Sequence, residues 1–359
     1  MSANGSCRNG TPESLLDILD DIPARSGKHP SFQFALAGSV VRVYAETAPL
    51  QQHLVAALQH RVVPAIDTPD LTILAWETLP SPVSRALPEW KVMERWALRE
   101  PVRASGEYGM FFFDPIGGTV TLYDSRRRLG GAWFSGGPKL ALWIVGAPFL
   151  RLLDVWFTDR GKALCHGAAI AKHGGAALII GPGGAGKSTL ALRALDASFS
   201  YLGDDYVLLE PAAPRPFVHS VYCSGKLLGA DLDAAIPART VVFRQSDEQT
   251  EKSLLRVGAS SMLEAAPLLT VIEPCIGENE CPRMEPISRG EALRTVLPAA
   301  LRQLPGEEQK KLSIMARILT VPCFRLHLTR DHARNVAVID DHLSAQARSL
   351  GLKRCTMKT

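Results

Sequence analysis

The sequence contains no long hydrophobic run and no large excess of either charge. Its longest apolar stretch, Leu140–Leu150, is too short to span a bilayer. Residues 1–28 lack the apolar segment that a signal peptide carries next to positive charge. We therefore expect no membrane partner and a cytoplasmic location. The formal net charge of +4 is too small to indicate a nucleic-acid partner.

The cysteine pattern indicates neither a zinc site nor a disulfide framework. The seven cysteines are odd in number and scattered, and no Cys-x-x-Cys motif occurs. Reduced thiols are the simplest interpretation. The rest of the composition, with 46% hydrophobic and 21% charged residues over 359 positions, is that of an ordinary globular protein of roughly two domains.

Apolar periodicity and turn signals divide the chain into three parts. Residues 1–30 predict a flexible lead-in with a short helix at Glu13–Asp21. Residues 31–147 predict an α+β N-terminal domain that carries no chemical motif but has aromatic residues suited to peptide recognition or, more simply, to a core. Residues 148–359 predict an α/β domain in which strands alternate with helices.

The individual elements follow from the same patterns. The predicted strands are Phe32–Leu36, Val40–Tyr44, Leu71–Trp76, Met110–Phe113, Thr119–Asp124, Ala132–Phe134, Ala163–Ala171, Ala176–Ile180, Tyr201–Leu202, Tyr206–Leu209, Val241–Arg244, Leu268–Ile272 and Phe324–Leu328. The further predicted helices are Leu50–His60, Trp90–Arg99, Pro148–Phe157, Lys187–Ala197, Ala292–Leu304, Glu307–Ile318 and Arg334–Leu350.

The strongest chemical signal is the segment Gly181–Ser188, which matches the pattern Gly-x4-Gly-Lys-Ser/Thr between an apolar strand and a helix. Glycines let backbone N–H groups converge on an anion, and the helix N-terminus adds partial positive charge. Lys187 can reach the β- and γ-phosphates, and Ser188 can supply an oxygen to Mg²⁺. The residues expected to hold the nucleotide are Gly181, Gly183, Gly184, Ala185, Gly186, Lys187, Ser188 and Thr189.

Two adjacent carboxylates, Asp204 and Asp205, follow the loop lysine closely and should lie at the end of the next strand, beside the loop. One can accept the proton of an attacking hydroxyl, and the other can hold Mg²⁺. The like charge of a neighbour should raise the proton affinity of one of them. We find no apolar strand ending in Asp-Glu and no Asn-Lys-x-Asp downstream of the loop.

A histidine, His166, lies in the predicted strand that we expect to form a hairpin with the strand entering the loop. That position would bring its ring towards the γ-phosphate. A purely structural role is the alternative, because single histidines in strands are more often structural than catalytic.

Taken together, His166-Gly167, Gly181–Ser188 and Asp204-Asp205 resemble the catalytic core of the HPr kinase/phosphorylase superfamily in order and spacing. The resemblance implies a phosphate-loop kinase domain related to phosphoenolpyruvate carboxykinase, which phosphorylates serine with ATP and Mg²⁺. It implies that Asp205 is the general base, that Asp204 assists at the metal or the base, and that His166 lies near the γ-phosphate. Lys187 and Ser188 would hold phosphate and Mg²⁺. Homo-oligomers occur in this family.

The chain also departs from true HPr kinases, because the signature Glu-x-Arg-Gly-x-Gly does not follow the aspartates. The segment His219–Leu227 stands there instead. With Glu251–Ser253 and Gln303–Gly306, it resembles the HPr-kinase-like proteins of lasso peptide biosynthesis, which phosphorylate the C-terminal serine of a precursor peptide. The groups expected to contact phosphate or a peptide substrate are His219, Lys226 and Lys252.

The same residues are also compatible with two other functions. The core could phosphorylate a small-molecule hydroxyl, such as a free amino acid or a sugar. It could also be a non-catalytic, nucleotide-binding component of a peptide-maturation system. An activity like that of phosphoenolpyruvate carboxykinase lacks a visible second-metal set of histidine and lysine.

Overall fold

The computed structural model describes residues 16, 19, 29–78, 102–105, 108–114, 116–135, 140–228, 241–247, 252–277, 280–304 and 307–352. The chain divides into two compact units. The first consists of Met1–Ala56 and Val62–Leu152, and the second of Ala57–Arg61 and Leu153–Thr359. The predicted lead-in, N-terminal domain and second domain stay predictions. The helix predictions at Glu13–Asp21 and Trp90–Arg99 lie outside the described residues, apart from Leu16 and Leu19.

The first unit is built on one large mixed sheet. Its described strands and helices are β1 (Ser31–Leu36), β2 (Ser39–Ala45), α1 (Ala48–Ala56), β3 (Val62–Val63), β4 (Leu71–Trp76), β5 (Val102–Ser105), β6 (Gly109–Asp114), β7 (Thr119–Asp124), β8 (Leu129–Phe134) and α2 (Leu142–Gly146). The strands follow the order β3-β1-β2-β4-β8-β7-β6-β5 in the sheet. The predicted hairpin of β1 and β2 and the predicted antiparallel meander of β6, β7 and β8 are confirmed.

The second unit contains the remaining elements, and helix α3 (Leu150–Thr158) includes the division between the units. They are β9 (Ala163–His166), β10 (Ala168–Lys172), β11 (Gly175–Ile179), α4 (Lys187–Ala194), β12 (Ser200–Gly203), β13 (Tyr206–Glu210), β14 (Phe217–Ser220), β15 (Ser224–Leu228), β16 (Val241–Asp247), β17 (Lys252–Val257), β18 (Ala265–Ile276), β19 (Arg283–Ile287), α5 (Arg289–Gln303), α6 (Glu308–Ile318), β20 (Cys323–Leu328) and α7 (His332–Ser349). No helix in the described part of the chain has both the length and the apolar character needed to cross a bilayer.

The larger sheet of the second unit positions the site. Its path is β12-β10-β11-β18-β14-β13-β9, and β20 pairs in parallel with the later residues of β18. Both faces carry helices: α4 and α7 contribute Leu190 and Ile339 to the core on one face, and α5 and α6 contribute Val296 and Ile314 to the other. Because β11 and β18 are parallel, the loop after β11 and the end of β18 meet at the same edge of the sheet.

The hairpin of β10 and β11 confirms the predicted turn at Lys172–Gly175. His173 and Gly174 both have positive φ, at 57° and 81°, as a two-residue turn of the primed type requires. The turn sets the register in which Ala168 faces Ile179 and Lys172 faces Gly175. The register fixes where β11 ends and the loop that follows it begins.

The prediction of one continuous strand over Ala163–Ala171 is wrong. The run is divided at Gly167 into β9, which pairs with β13, and β10, which pairs with β11. A Cβ on Gly167 would lie 2.8 Å from the carbonyl oxygen of Ile179, so this position needs the close backbone approach that glycine allows. A continuous apolar run does not indicate that the chain changes its pairing strand at an internal residue.

The segment Ala57–Arg61 belongs to the second unit through backbone and side-chain bonds. The N–H of Cys223 donates to the carbonyl of Ala57 at 2.8 Å. The buried guanidinium of Arg61 donates to the carbonyl of Ser220 at 3.0 and 2.7 Å and also to that of Glu264. These bonds satisfy carbonyl groups of the second unit with a buried cation from an earlier part of the chain.

Candidate active site

The loop Gly181–Ser188 connects β11 to α4, as its sequence predicts. The N–H of Ile180 donates to the carbonyl of Ile272 at 2.9 Å, which continues the pairing with β18 up to the first glycine. Gly186 precedes α4 with φ of 91°, and a Cβ there would lie 3.2 Å from Leu328. Both facts favour glycine at this position and place the first N–H groups of α4 at the sheet edge.

The ammonium of Lys187 lies inside the loop. Its Nζ donates to the carbonyl of Gly181 at 2.9 Å and to that of Pro182 at 3.0 Å, and the side chain is buried. The loop therefore holds a fixed cation beside its own backbone N–H groups. A phosphate bound by these N–H groups would lie near this positive charge.

The carboxylate of Asp204 is buried and faces the loop serine. Ser188 Oγ donates to Asp204 Oδ1 at 3.0 Å, and the backbone N–H of Lys226 donates to Oδ2 at 3.3 Å. Burial raises the pKa of Asp204 to about 6, and the charge of Asp205 adds to the increase. The hydrogen bond from Ser188 opposes that increase. The proton affinity of Asp204 is thus raised.

The backbone of Asp205 is held in a left-handed conformation, with φ of 62°. The N–H of Tyr206 donates to the carbonyl of Asp204 at 2.8 Å, so Asp205 is the central residue of a three-residue turn. The N–H of Gly167 donates to the carbonyl of Asp205 at 3.1 Å. These two bonds keep a strained residue in place, and strain of this kind is concentrated at functional sites.

The side chain of Asp205 brings two basic groups together. Lys226 Nζ donates to its Oδ2 at 2.6 Å, and His166 Nε2 lies 3.9 Å from its Oδ1. All three side chains are partly exposed to solvent. The arrangement is a carboxylate that can be reached from solvent, flanked by a lysine and a histidine.

The predicted position of His166 is corrected in one respect. It does not lie on the strand that forms the hairpin with β11, because it ends β9 and faces Tyr206 of β13 across an antiparallel pair. Its ring packs edge-on against Tyr206, with the ring centres 5.5 Å apart. The register with β13, and not the hairpin, is what places His166 beside Asp205.

The three residues expected to contact substrate lie in different places. Lys226 on β15 contacts both aspartates. His219 on β14 bonds Glu210 at 2.7 Å, at the end of β13 that is remote from Asp205. Lys252 begins β17, and its side chain lies outside the described part of the structure. Of the three, the structure brings Lys226 to the loop.

A cavity of about 620 Å³ opens over the loop and the start of α4. This volume is within the usual range for small-molecule sites, roughly 300–1,000 Å³. The lining residues come from the loop and α4, from β15, and from the ends of β18 and β20 with the start of α7: Gly184, Gly186, Lys187, Ser188, Thr189, Leu190, Lys226, Leu227, Ile276, Gly277, Leu328, Thr329, Arg330, His332 and Asn335.

Glu273 is a site residue that the sequence analysis missed. It follows Ile272 on β18, next to the strand that enters the loop, and lines a second cavity with the loop residues Pro182–Ala185. Arg325 donates to its Oε2 through Nε at 3.1 Å and Nη2 at 2.9 Å, and Thr295 Oγ donates to its Oε1 at 2.8 Å. The only signal for Glu273 in the sequence was an apolar run that ends in a single Glu.

Ser188 and Asp204 fit a magnesium ion by the chemistry of their donor atoms. Mg²⁺ prefers hard oxygen ligands and is commonly held by one or two protein groups together with substrate phosphates and water. A buried carboxylate bonded to the loop serine supplies such a set. Among the described residues no group of three or more His, Cys, Asp or Glu is placed to hold a metal.

No protein-family model matches the sequence, and no curated protein matches it. A search of solved structures matches the chain to the Hpr(Ser) kinase/phosphatase from Coxiella burnetii, with 12% sequence identity and a TM-score of 0.28. The match covers 51% of this chain and 97% of the Coxiella chain. Similarity at this level shows neither the activity nor the substrate of this chain.

Proposed function

We propose that this protein is a kinase that transfers the γ-phosphoryl group of ATP to a serine hydroxyl in the presence of Mg²⁺. The observation that carries the proposal is the bond between Ser188 and Asp204. It joins a phosphate-binding loop to a pair of carboxylates, one buried and one accessible. A phosphate loop alone indicates only a nucleotide, whereas an accessible carboxylate beside it adds the group that a hydroxyl acceptor needs.

The proposed roles follow from the positions of the side chains. Lys187 and the N–H groups of the loop and α4 would bind the phosphates and neutralise the charge that spreads over the transferring phosphoryl group. Ser188 and Asp204 would hold Mg²⁺, which supplies further neutralisation of phosphate charge when bound. Lys226 would contact the transferring group or a carboxylate of the acceptor.

Asp205 is proposed as the general base. Its carboxylate would accept the proton of the serine hydroxyl as the oxygen forms its bond to the γ-phosphorus. The bond between that phosphorus and the β–γ bridging oxygen breaks, and ADP leaves with the bond electrons. His166, whose Nε2 lies 3.9 Å from Asp205 Oδ1, would lie beside this carboxylate and near the γ-phosphate.

The narrower proposal for the acceptor is the C-terminal serine of a lasso peptide precursor. Its support is the resemblance of the segments around His219–Leu227, Glu251–Ser253 and Gln303–Gly306 to that group. A peptide partner, a cytoplasmic location and a homo-oligomer belong to the same proposal. The alternatives are a kinase for a small-molecule hydroxyl and a non-catalytic component that binds nucleotide.

One experiment separates these functions. The protein is incubated with γ-labelled ATP, Mg²⁺ and a panel of acceptors: peptides with a C-terminal serine, peptides with an internal serine, free serine and simple sugars. Label on a C-terminal serine supports the narrow proposal, and label on free serine or a sugar supports the small-molecule alternative. If the protein binds nucleotide but no acceptor becomes labelled, the result supports the non-catalytic alternative.

A further inference from the structure

The strand β15 lies at the edge of a small sheet and next to the proposed active site. It pairs antiparallel with β17, which in turn pairs with β16, and in the described part of the chain no strand lies on its other side. An edge strand presents backbone N–H and C=O groups that a further strand can use. Because this edge lies next to the aspartates, an acceptor that pairs with it would be held close to them.

The backbone groups on the outer side of β15 alternate along the strand, as antiparallel pairing requires. The Tyr201 hydroxyl donates to the carbonyl of Ser224 at 3.2 Å, and the N–H of Lys226 donates to Asp204 Oδ2 at 3.3 Å. Ser224 and Lys226 thus point away from β17. By the same alternation Leu228, two residues further on, also points away from it.

Beyond Lys226 the outer edge of β15 has no partner among the described residues. Up to the N–H of Lys226 this edge is contacted by two side chains, the Tyr201 hydroxyl at Ser224 and the Asp204 carboxylate at Lys226. The carbonyl of Lys226 and the N–H of Leu228 are the next outward groups, and they are spaced as one residue of an incoming parallel strand requires.

We propose that the acceptor is an extended peptide that adds a strand to this outer edge of β15. Its backbone would donate to the carbonyl of Lys226 and accept from the N–H of Leu228. The proposal rests on the proposed kinase function and specifies how that kinase binds its substrate. Lys226 also contacts Asp205 through its side chain, so a serine on the added strand would lie beside the proposed base.

This mode of binding has a consequence for substrate choice. Backbone hydrogen bonds do not depend on side-chain identity, so peptides of different sequence would bind if they can be extended. Free serine has no peptide backbone on either side and would be a poor acceptor. The Lys226 side chain offers a counter-charge to a carboxylate at the peptide terminus.

The test uses the full chain with a short synthetic peptide of alternating valine and glutamine that ends in serine. Leu228→Pro removes the outward N–H without removing a bond to β17, and proline is tolerated at strand edges. Leu228→Ala keeps the N–H and is the reference variant. We expect the KM for the peptide to be about tenfold higher in Leu228→Pro than in Leu228→Ala, the effect of losing one hydrogen bond. The KM for ATP should be the same in both.

A second measurement uses peptides methylated at single backbone nitrogens and does not depend on folding of the proline variant. The proposal gives the added strand one amide that donates to the carbonyl of Lys226, so methylation of that nitrogen should raise KM about tenfold or more, while methylation of the adjacent nitrogens should have little effect. Uniform tolerance to N-methylation, or equal peptide KM values in the two Leu228 variants, would overturn the docking mode.

Failure of the kinase proposal gives a different result. In that case no peptide becomes phosphorylated, whereas binding of a fluorescently labelled peptide can still be followed by anisotropy in the presence of a non-hydrolysable ATP analogue. Binding that is weakened by N-methylation at one position and not at its neighbours supports the added strand without the kinase. If free serine is phosphorylated as efficiently as the peptide, the proposed strand addition is wrong and the proposed kinase function stands.

Discussion

The ammonium of Lys226 lies 2.6 Å from the carboxylate of Asp205, while the backbone N–H of the same lysine donates to Asp204. One residue of β15 therefore contacts both aspartates through different atoms. The backbone bond depends on the position of the strand, and the side-chain bond can be exchanged for one to a phosphate or a carboxylate. This difference allows the two contacts to be tested separately.

Lys226→Met removes the ammonium and leaves the backbone bond to Asp204. We expect kcat for phosphoryl transfer to fall about 100-fold, the usual effect of removing one group that stabilises developing charge. Thermal unfolding should change little. Lys172→Met is the control, because that lysine pairs with Asp340 on the α7 side of the sheet. Full activity of Lys226→Met would exclude a role for the ammonium in transfer.

Substitution of the loop serine tests the proposed metal ligands. Ser188→Ala removes the hydroxyl that bonds Asp204, whereas Ser188→Thr keeps a hydroxyl at the same position of the motif. We expect the Mg²⁺ concentration for half-maximal transfer to rise about tenfold or more in Ser188→Ala and to stay near the wild-type value in Ser188→Thr. Chelation of Mg²⁺ should stop transfer in all three proteins. Identical Mg²⁺ titrations of the three proteins would show that Ser188 is not a metal ligand.

Much of the fold and the loop could be predicted from the sequence because the signals are local. The loop pattern, the adjacent aspartates and the hairpin turn at Lys172–Gly175 depend on residues close together in the chain. The pairing of β9 with β13 could not be predicted, because it depends on a backbone approach at Gly167. For the same reason His166 was expected near the loop on the wrong strand.

Other parts of the site depend on contacts between residues far apart in the sequence. β15 has a mixed pattern of small, charged and apolar residues, and its place beside Asp204 arises from pairing with β17. Glu273 is a single acid within β18, directly after its apolar run, and its two partners lie on α5 and β20. Neither arrangement has a fixed spacing that a sequence pattern could reveal.

His60 should make the second unit sensitive to acid. Burial lowers the pKa of this histidine to about 3, and the charge of Arg61 acts in the same direction. Because the folded-state pKa lies below the unfolded value, the neutral ring contributes stability above about pH 6.5, and this contribution is lost as the pH falls towards 3. At pH 5 the loss is at most about 2 kcal/mol.

The measurement for His60 is denaturant unfolding of wild type and His60→Gln between pH 8 and pH 5. Glutamine can keep a hydrogen bond to Ser220, which bonds His60 Nε2 at 2.8 Å, and it cannot be protonated. The variant should lose less stability on acidification than wild type. Parallel pH profiles would show that His60 is not a source of acid sensitivity.

A buried ion pair should be important for folding of the second unit. Lys311 Nζ donates to Asp154 and to the carbonyl of Leu304, both at 2.5 Å, and both charged side chains are almost fully buried. Lys311→Met leaves a buried carboxylate without its cation and should cost about 3–5 kcal/mol of unfolding free energy.

The neighbouring Lys310 provides the matched control for the buried pair. Its side chain is 54% exposed and pairs with Asp159 and Glu307. Lys310→Met should therefore change the free energy of unfolding by no more than about 0.5 kcal/mol. Asp154→Leu added to Lys311→Met should recover much of the lost stability. Equal effects of the two lysine substitutions would contradict this account.

The most direct test of the proposed kinase is the single substitution Asp205→Asn. Asparagine tolerates the left-handed backbone of this residue, so the change removes the base and leaves the turn. Transfer from γ-labelled ATP to a serine peptide and the affinity for ATP are measured for both proteins. The account predicts ATP affinity within about twofold of wild type and transfer lowered by roughly 100- to 10,000-fold. Unchanged transfer in Asp205→Asn would contradict it.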